Sequence, residues 1–305
     1  MVNMITARCI ANNLLVSDAI NSFLFSLKEH TRRNYSYSLR RIFTMKELSH
    51  LISLGMRLDH FTKLNFSSLL DIIKLCMPGS ETTKQNRCSA FLSFTKFLSR
   101  HSNGNISPAL PQKGINPTFQ KIREKSVTIA MNADQCFKFL SKLHDISYRD
   151  YLIAKCILQG AKRISEVTEA KVDQIDWDNH RITFVQKKSH VLEKQTVITY
   201  PKDFMNELKF YINDRKCGPI FITRTGQRVS QPHLYNVFVQ AGIEAGIPFR
   251  VHPHALRATA ITLLMKMGYH SDQILNISGH SGSREVLYYD KSPLEDNISK
   301  QFKLI

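Results

Sequence analysis

The chain is poor in acid, in glycine and in paired cysteine. Its 305 residues include 25 Asp+Glu against 42 Lys+Arg, with 12 Gly, 6 Cys and a single Trp. It contains no Walker-type phosphate loop, no GxGxxG and no HExxH, so a P-loop ATPase, a dinucleotide-dependent enzyme and a zinc hydrolase all lose support. Cys9, Cys76, Cys88, Cys136, Cys156 and Cys217 form neither a CxxC pair nor a His/Cys ligand spacing. No metal site is therefore expected, and free thiols suit a reducing cytoplasm. No apolar run approaches the ~18 residues of a membrane helix. Met1 to Ile20 lacks a basic stretch ahead of an apolar core, so a soluble, cytoplasmic protein with no membrane role is expected.

What is present is positive charge, a formal net of +17 with a pI near 9.7. Hydrophobic residues make up 43% and charged residues 22%, values of a globular chain rather than a disordered one. The length suits two domains, each able to bury a core. A basic surface attracts nucleic acid, anionic membrane or acidic protein, and neutralises phosphate by releasing counterions. No basic amphipathic helix with a broad apolar face stands out, which weakens a membrane-surface reading. The excess charge is densest before residue 127.

Periodicity predicts helices over Asp18–Glu29, from a Thr31 cap through Ile42, over Ser67–Cys76, and, after Pro78-Gly79, over Thr82–Leu98 behind Ser80. Phe91, Phe94 and Phe97 are spaced for a core. From His101 to about Lys125 the apolar period fails among Asn103, Gly104, Pro108, Pro111, Gly114 and Pro117, which marks a linker. Helices follow over Asn132–Leu143 and Tyr148–Leu158. Three strands, Gln174–Trp177, Arg181–Gln186 and Gln195–Tyr200, then form a small antiparallel sheet with a polar turn over Lys187–Lys194. Further helices are predicted over Phe204–Asn213, Gln231–Ala245 and Pro253–Gly268, from a Ser271 cap to Gly279, and over Glu285–Tyr289. The fold class is mostly α (α+β).

Five stretches carry chemistry in order: Arg163-Ile164-Ser165-Glu166, Gln186-Lys187-Lys188-Ser189, His254-Ala255-Leu256-Arg257, Gly279-His280, and Tyr289 nine residues after His280. Singly, each has a plain structural reading: a surface ion pair for Arg163, a helix-start residue for His254, a residue after a helix stop for His280, packing for Tyr289. Their ordered coincidence is what carries weight. The set resembles the tyrosine recombinase (phage integrase) family, with its R-x-S-E motif, hairpin lysine, H-x-x-R, G-H and a following tyrosine. The resemblance is specific over the second half and weaker over Thr31–Arg41 and Ser80–Arg100. It implies a helical core-binding domain at 1–105, a linker at 106–126 and a catalytic domain at 127–305.

By that resemblance Tyr289 attacks a DNA phosphate to give a 3′-phosphotyrosyl ester, so neither a cofactor nor a metal is needed. Arg163 and Arg257 clamp the non-bridging oxygens and stay charged at any working pH. His254 is the base, His280 a donor to the phosphate and Lys188 the acid for the leaving 5′-oxygen. Glu166 is the accessory carboxylate that orients the site. Tyr289 is preferred to Tyr288 by its offset from His280. Lys188 is preferred to Lys187 because it shares the strand face of Phe184 and Gln186. Two departures from the family pattern stand out: Ala258 follows Arg257 where many members have a second His, and Ala161 occupies a position where a Gly is usual, with Gly160 shifted by one. The resemblance further implies double-stranded DNA as partner, contacted by Arg32, Arg33, Lys84 and Arg87. It implies four protomers acting on two sites, a tail from Lys291 exchanged between protomers, and a plasmid- or nucleoid-associated role in maintenance or resolution. A catalytically silent DNA-binding regulator and a type IB topoisomerase remain the alternatives.

Overall fold

The computed structural model describes residues 14–110, 128–186 and 194–279. The chain divides into two compact units, Met1–Lys125 and Ser126–Ile305. Among the described residues no helix is long and apolar enough to cross a membrane, and no cluster of three or more His, Cys, Asp or Glu could hold a metal.

The first unit is built from α1 (Val16–Phe25), α2 (Glu29–Phe43), the short α3 (Leu58–Phe61), α4 (Phe66–Cys76) and α5 (Glu81–His101). Asn65 accepts from the Ser67 and Ser68 amides to start α4, and the Ser80 hydroxyl accepts from Thr83 to start α5, satisfying amides that have no partner within the helix. Phe23, Phe43, Phe61, Phe66, Phe91 and Phe94 interlock in the core with ring centres 4.9 to 6.4 Å apart, so Phe91 and Phe94 are core residues as their spacing predicted. Several boundaries differ from the sequence reading: α1 is Val16–Phe25 rather than Asp18–Glu29. α2 begins at Glu29 after Lys28, so Thr31 lies inside its first turn rather than capping it. α5 runs through His101, whose ring packs on Phe97 at 4.3 Å. Residues 106–110, assigned from sequence to the linker, turn back onto the first unit: Ile106 and Ala109 are buried, and the Ala109 and Leu110 amides donate to Thr95 Oγ1 and Ser67 Oγ. Polar side chains supplied these partners, and apolar periodicity does not register them.

The second unit wraps helices around one sheet. α6 (Ala133–Ile146) and α7 (Tyr148–Gly160) lead into α8 (Ile164–Glu169), a helix too short to show a period. Strands β1 (Ile175–Asp176), β2 (Arg181–Gln186) and β3 (Lys194–Thr199) pair antiparallel in the order β1-β2-β3. The register sets Phe184 opposite Thr196 and Gln186 opposite Lys194. Alternation buries Ile182, Phe184 and Gln186 on one strand, Thr196 and Ile198 on the other. α9 (Lys202–Ile212), α10 (Gln231–Glu244), α11 (Pro253–Lys266) and α12 (Ser271–Ser278) complete the unit. The residue before α12 is His270, so Ser271 is its first helical residue rather than its cap. The helix expected at Glu285–Tyr289 lies outside the described residues.

The junction between α7 and α8 explains the displaced glycine. Ala161 itself takes the left-handed conformation (φ 47°, ψ 33°) that stops α7, a strain of about 1–2 kcal/mol for a residue with a Cβ. Gly160 serves another need: a Cβ there would stand 2.6 Å from the Tyr200 hydroxyl, which is buried and donates to the Cys156 carbonyl. Gly160→Ala is therefore expected to destabilise the protein by about 1–3 kcal/mol through overpacking. Thermal melting beside the parent checks this, and an unchanged midpoint would show that Tyr200 can yield.

Candidate active site around Arg163 and Arg257

Arg163 is the extended residue between the left-handed Ala161 turn and α8. Glu166, one turn later, receives it twice: Arg163 Nη1 donates to Oε1 at 2.8 Å and the Arg163 amide to Oε2 at 3.2 Å. The Glu166 side chain is only 5% exposed while the Arg163 side chain keeps 27%. The ion pair that Arg163 was expected to make if merely structural is thus present. Its acid is buried, however, which holds the arginine at a fixed place rather than loosely on a surface.

Arg257 lies one turn along α11 from His254, as the i, i+3 spacing predicts. Its side chain is buried and Nη2 donates to the Ser278 carbonyl at the end of α12 at 3.1 Å. His254 is exposed in the first turn of α11. Its neighbour His252, the residue before that helix, stacks on Tyr235 at 5.9 Å and lies 6.2 Å from the His254 ring. Burial, helped by His254 and Arg250, holds His252 below the usual histidine range, toward the neutral form.

Gly279 ends α12 in the left-handed conformation (φ 68°) and has a second constraint. The Gln186 amide at the end of β2 lies where a Gly279 Cβ would be, 1.6 Å from Nε2. The end of the hairpin strand is thereby seated against the residue that precedes His280. Lys162, the residue before the R-x-S-E motif, to which the sequence reading gave no role, is fully buried here and donates to Thr196 Oγ1 of β3. Burial pushes its pKa down to about 8, with Arg257 and Arg163 pushing the same way and Glu166 opposing. The only sequence signal for it was a charge placed directly after a helix stop.

The structure therefore brings Arg163, Glu166 and Arg257 into one electrostatic neighbourhood around Lys162, with Gln186, Ser278 and Gly279 alongside. Lys187, Lys188, His280, Tyr288, Tyr289 and the tail from Lys291 lie outside the described residues.

In the first unit, two of the four expected DNA contacts turn out to have duties inside the fold. Arg32 donates from Nε to the Leu24 carbonyl at 3.0 Å and from Nη2 to those of Phe25 and Leu27 at 3.3 and 3.0 Å, closing the C-terminal end of α1. Arg87 is buried and donates to the Pro78 carbonyl at 2.9 Å. Arg33 is exposed, and Lys84 keeps a loose ion pair with Glu81 at 3.5 Å.

Residues 130–294 match the phage integrase family. The chain belongs to that family. It is 42% identical over 294 residues to the virulence plasmid integrase pGP8-D of Chlamydia muridarum (strain MoPn / Nigg), covering 94% of this chain and 87% of that protein. To the virulence plasmid integrase pGP7-D of the same organism it is 31% identical over 279 residues, covering 90% and 91%. Among solved structures, the Tn1549 transposon integrase in complex with transposon right end DNA aligns with a TM-score of 0.69 at 15% identity, covering 94% of this chain and 98% of that one. The last likeness establishes the mostly helical fold with its small sheet. Membership of the tyrosine recombinase class supports site-specific recombination as the kind of activity and DNA as the partner.

Proposed function

We propose that this integrase-family protein cleaves and rejoins duplex DNA at specific sites through a 3′-phosphotyrosyl intermediate. The observation that supports the reading is that Arg163, held on buried Glu166, and buried Arg257 both act on Lys162, whose ammonium is bound to the hairpin strand β3. Two fixed guanidiniums are what an attacked phosphate needs, because negative charge grows on its non-bridging oxygens as the nucleophile arrives.

In this scheme Tyr289 Oη forms a bond to phosphorus while the bond from phosphorus to the 5′-oxygen breaks. The phenol proton passes to His254 and Lys188 gives a proton to the departing 5′-oxygen, so no net proton is lost. His280 donates to a phosphate oxygen, and Glu166 keeps Arg163 in place. The phosphotyrosyl ester conserves the bond energy, and attack by a 5′-hydroxyl reverses the step without ATP or a metal. Arg33 and Lys84 contact phosphate from the first unit, while Arg32 and Arg87 hold the frame from which they project. Four protomers act on two sites, in the service of plasmid maintenance or resolution.

The test traps the intermediate. Full-length protein is incubated with nicked duplexes tiled across its native replicon, and the products are run on denaturing gels beside Tyr289→Phe. A slow band made by the parent and lost in Tyr289→Phe is the expected result. A band retained in Tyr289→Phe would move the nucleophile to Tyr288. Binding without any band would leave a DNA-binding regulator, and relaxation of supercoiled plasmid with no defined site would indicate topoisomerase action.

A further inference from the structure

Lys162 is a buried titratable group to which the scheme above gives no task. Its ammonium donates to Thr196 Oγ1 and lies 5.5 Å from the centre of the Phe184 ring. A Cβ at Gly160 would stand 3.1 Å from Lys162 Cγ, so the stem is closely confined. The titratable groups that bear on it are Glu166 from α8, Arg163 just before it, Arg257 from α11 and Cys156 from α7. Tyr200, which follows β3, completes the set through its contacts with Gly160 and Cys156. The Cys156 thiol is pushed up to about 12 and Tyr200 well above its usual range by burial, so both stay neutral and leave the other three to set the field. A fully buried ammonium held by one hydroxyl and a ring face costs stability that an apolar side chain would not.

Resting on the strand-cleavage reading, we propose that Lys162 is a positioning residue of the phosphate clamp, adding a third positive charge beside Arg163 and Arg257 and tying both motifs to the strand that leaves the catalytic hairpin. Charge counting supports this. Lys162, Arg163 and Arg257 against Glu166 leave a local excess of two positive charges. A phosphodiester carries one negative charge, and the five-coordinate phosphorus formed during attack carries two. With Lys162 neutral, these groups keep only one excess charge, beside the Lys188 ammonium of the scheme above. The Thr196 bond works on geometry rather than charge: Thr196 is two residues into the strand that follows the hairpin, so the same ammonium sets the distance between the arginines and the hairpin base. Because its pKa lies near 8 in the free protein, the charge is present at neutral pH and lost on the alkaline side. A bound phosphate shifts that loss to higher pH.

Lys162→Met removes the charge at nearly constant length, and Lys162→Gln removes it while keeping a donor for Thr196. The experiment measures thermal midpoints and the second-order constant for covalent adduct formation on a nicked duplex, from pH 6.5 to 9.5, for parent and both variants. The expected result has three parts. Lys162→Met melts above the parent at pH 7. Both variants form adduct more slowly there, on the order of tenfold or more. The ratio of parent to variant rate falls toward one above about pH 9, where the parent has lost its own charge. Titrations of other groups in the site cancel in that ratio. A rate deficit that stays constant across pH, or a Lys162→Met protein that melts lower and cuts in proportion, would reduce Lys162 to a packing role and overturn the proposal. Unchanged rates at pH 7 would do the same. If the parent forms no adduct on any duplex, the cleavage reading fails and takes this inference with it; an active parent with a flat ratio removes the inference alone.

Discussion

Arg257→Lys is expected to slow DNA cleavage by about a thousandfold or more while changing duplex affinity by only about threefold. The asymmetry follows from where Arg257 sits. It is buried one turn beyond His254, with Nη2 on the Ser278 carbonyl, so the rest of its planar fork is aimed by that bond. Lysine keeps the charge and loses the fork, and with it the paired donation that holds two phosphate oxygens at once. Affinity for duplex comes mostly from many phosphate contacts and falls little when one is weakened. Single-turnover cleavage of a nicked duplex and gel-shift affinity, measured on the same preparations, decide the matter. Rates within tenfold of the parent would mean that Arg257 serves α12 rather than the phosphate.

Glu166→Gln has the other large expected effect, and it is on stability. The side chain is buried and is the one acid among three cations in the described site. Removing one partner of a buried ion pair costs about 3–5 kcal/mol; the low end, about 3 kcal/mol, applies because Arg163 retains 27% exposure and water screens part of its charge. The pH dependence identifies the cause. In the parent, Lys162 has a folded pKa near 8 against its ordinary 10.5. Between those values the unfolded chain binds more protons, so stability rises with pH across that window and the burial penalty is fully present below it. Its size is on the order of 3 kcal/mol. Glu166 is the strongest of the groups that favour the charged form, so without it Lys162 gives up its proton at lower pH. The stability of Glu166→Gln should begin to rise earlier than that of the parent, and the gap between them should narrow on approach to pH 9. Urea unfolding at several pH values tests this; a gap independent of pH would show that Lys162 and Glu166 do not share a field.

Legibility from sequence followed length and periodicity. Helices of ten or more residues were found, with ends displaced by a few positions, because an apolar face repeats along them. β2 was placed at Arg181–Gln186, as observed, since alternation over six residues between a turn and a polar loop leaves little choice. α8 was not predicted, because six residues hold under two turns. Arg32 and Arg87 were read as DNA contacts, yet the partners seen here are backbone carbonyls, and carbonyls leave no trace in a residue pattern.

The sequence alone determined the family. Arginine, lysine, histidine and tyrosine in that order are what made the chain resemble the tyrosine recombinase family, to which it belongs, and that order is a property of the chain before it folds. Only the tertiary structure decided which of those charges share one field. The left-handed turn at Ala161 directs Lys162 into the core beneath Phe184 and Thr196 rather than out to solvent, and the Ser278 carbonyl fixes Arg257. Electrostatic coupling depends on distance and burial, and both arise only when α7, α8, α11 and the hairpin strands pack together.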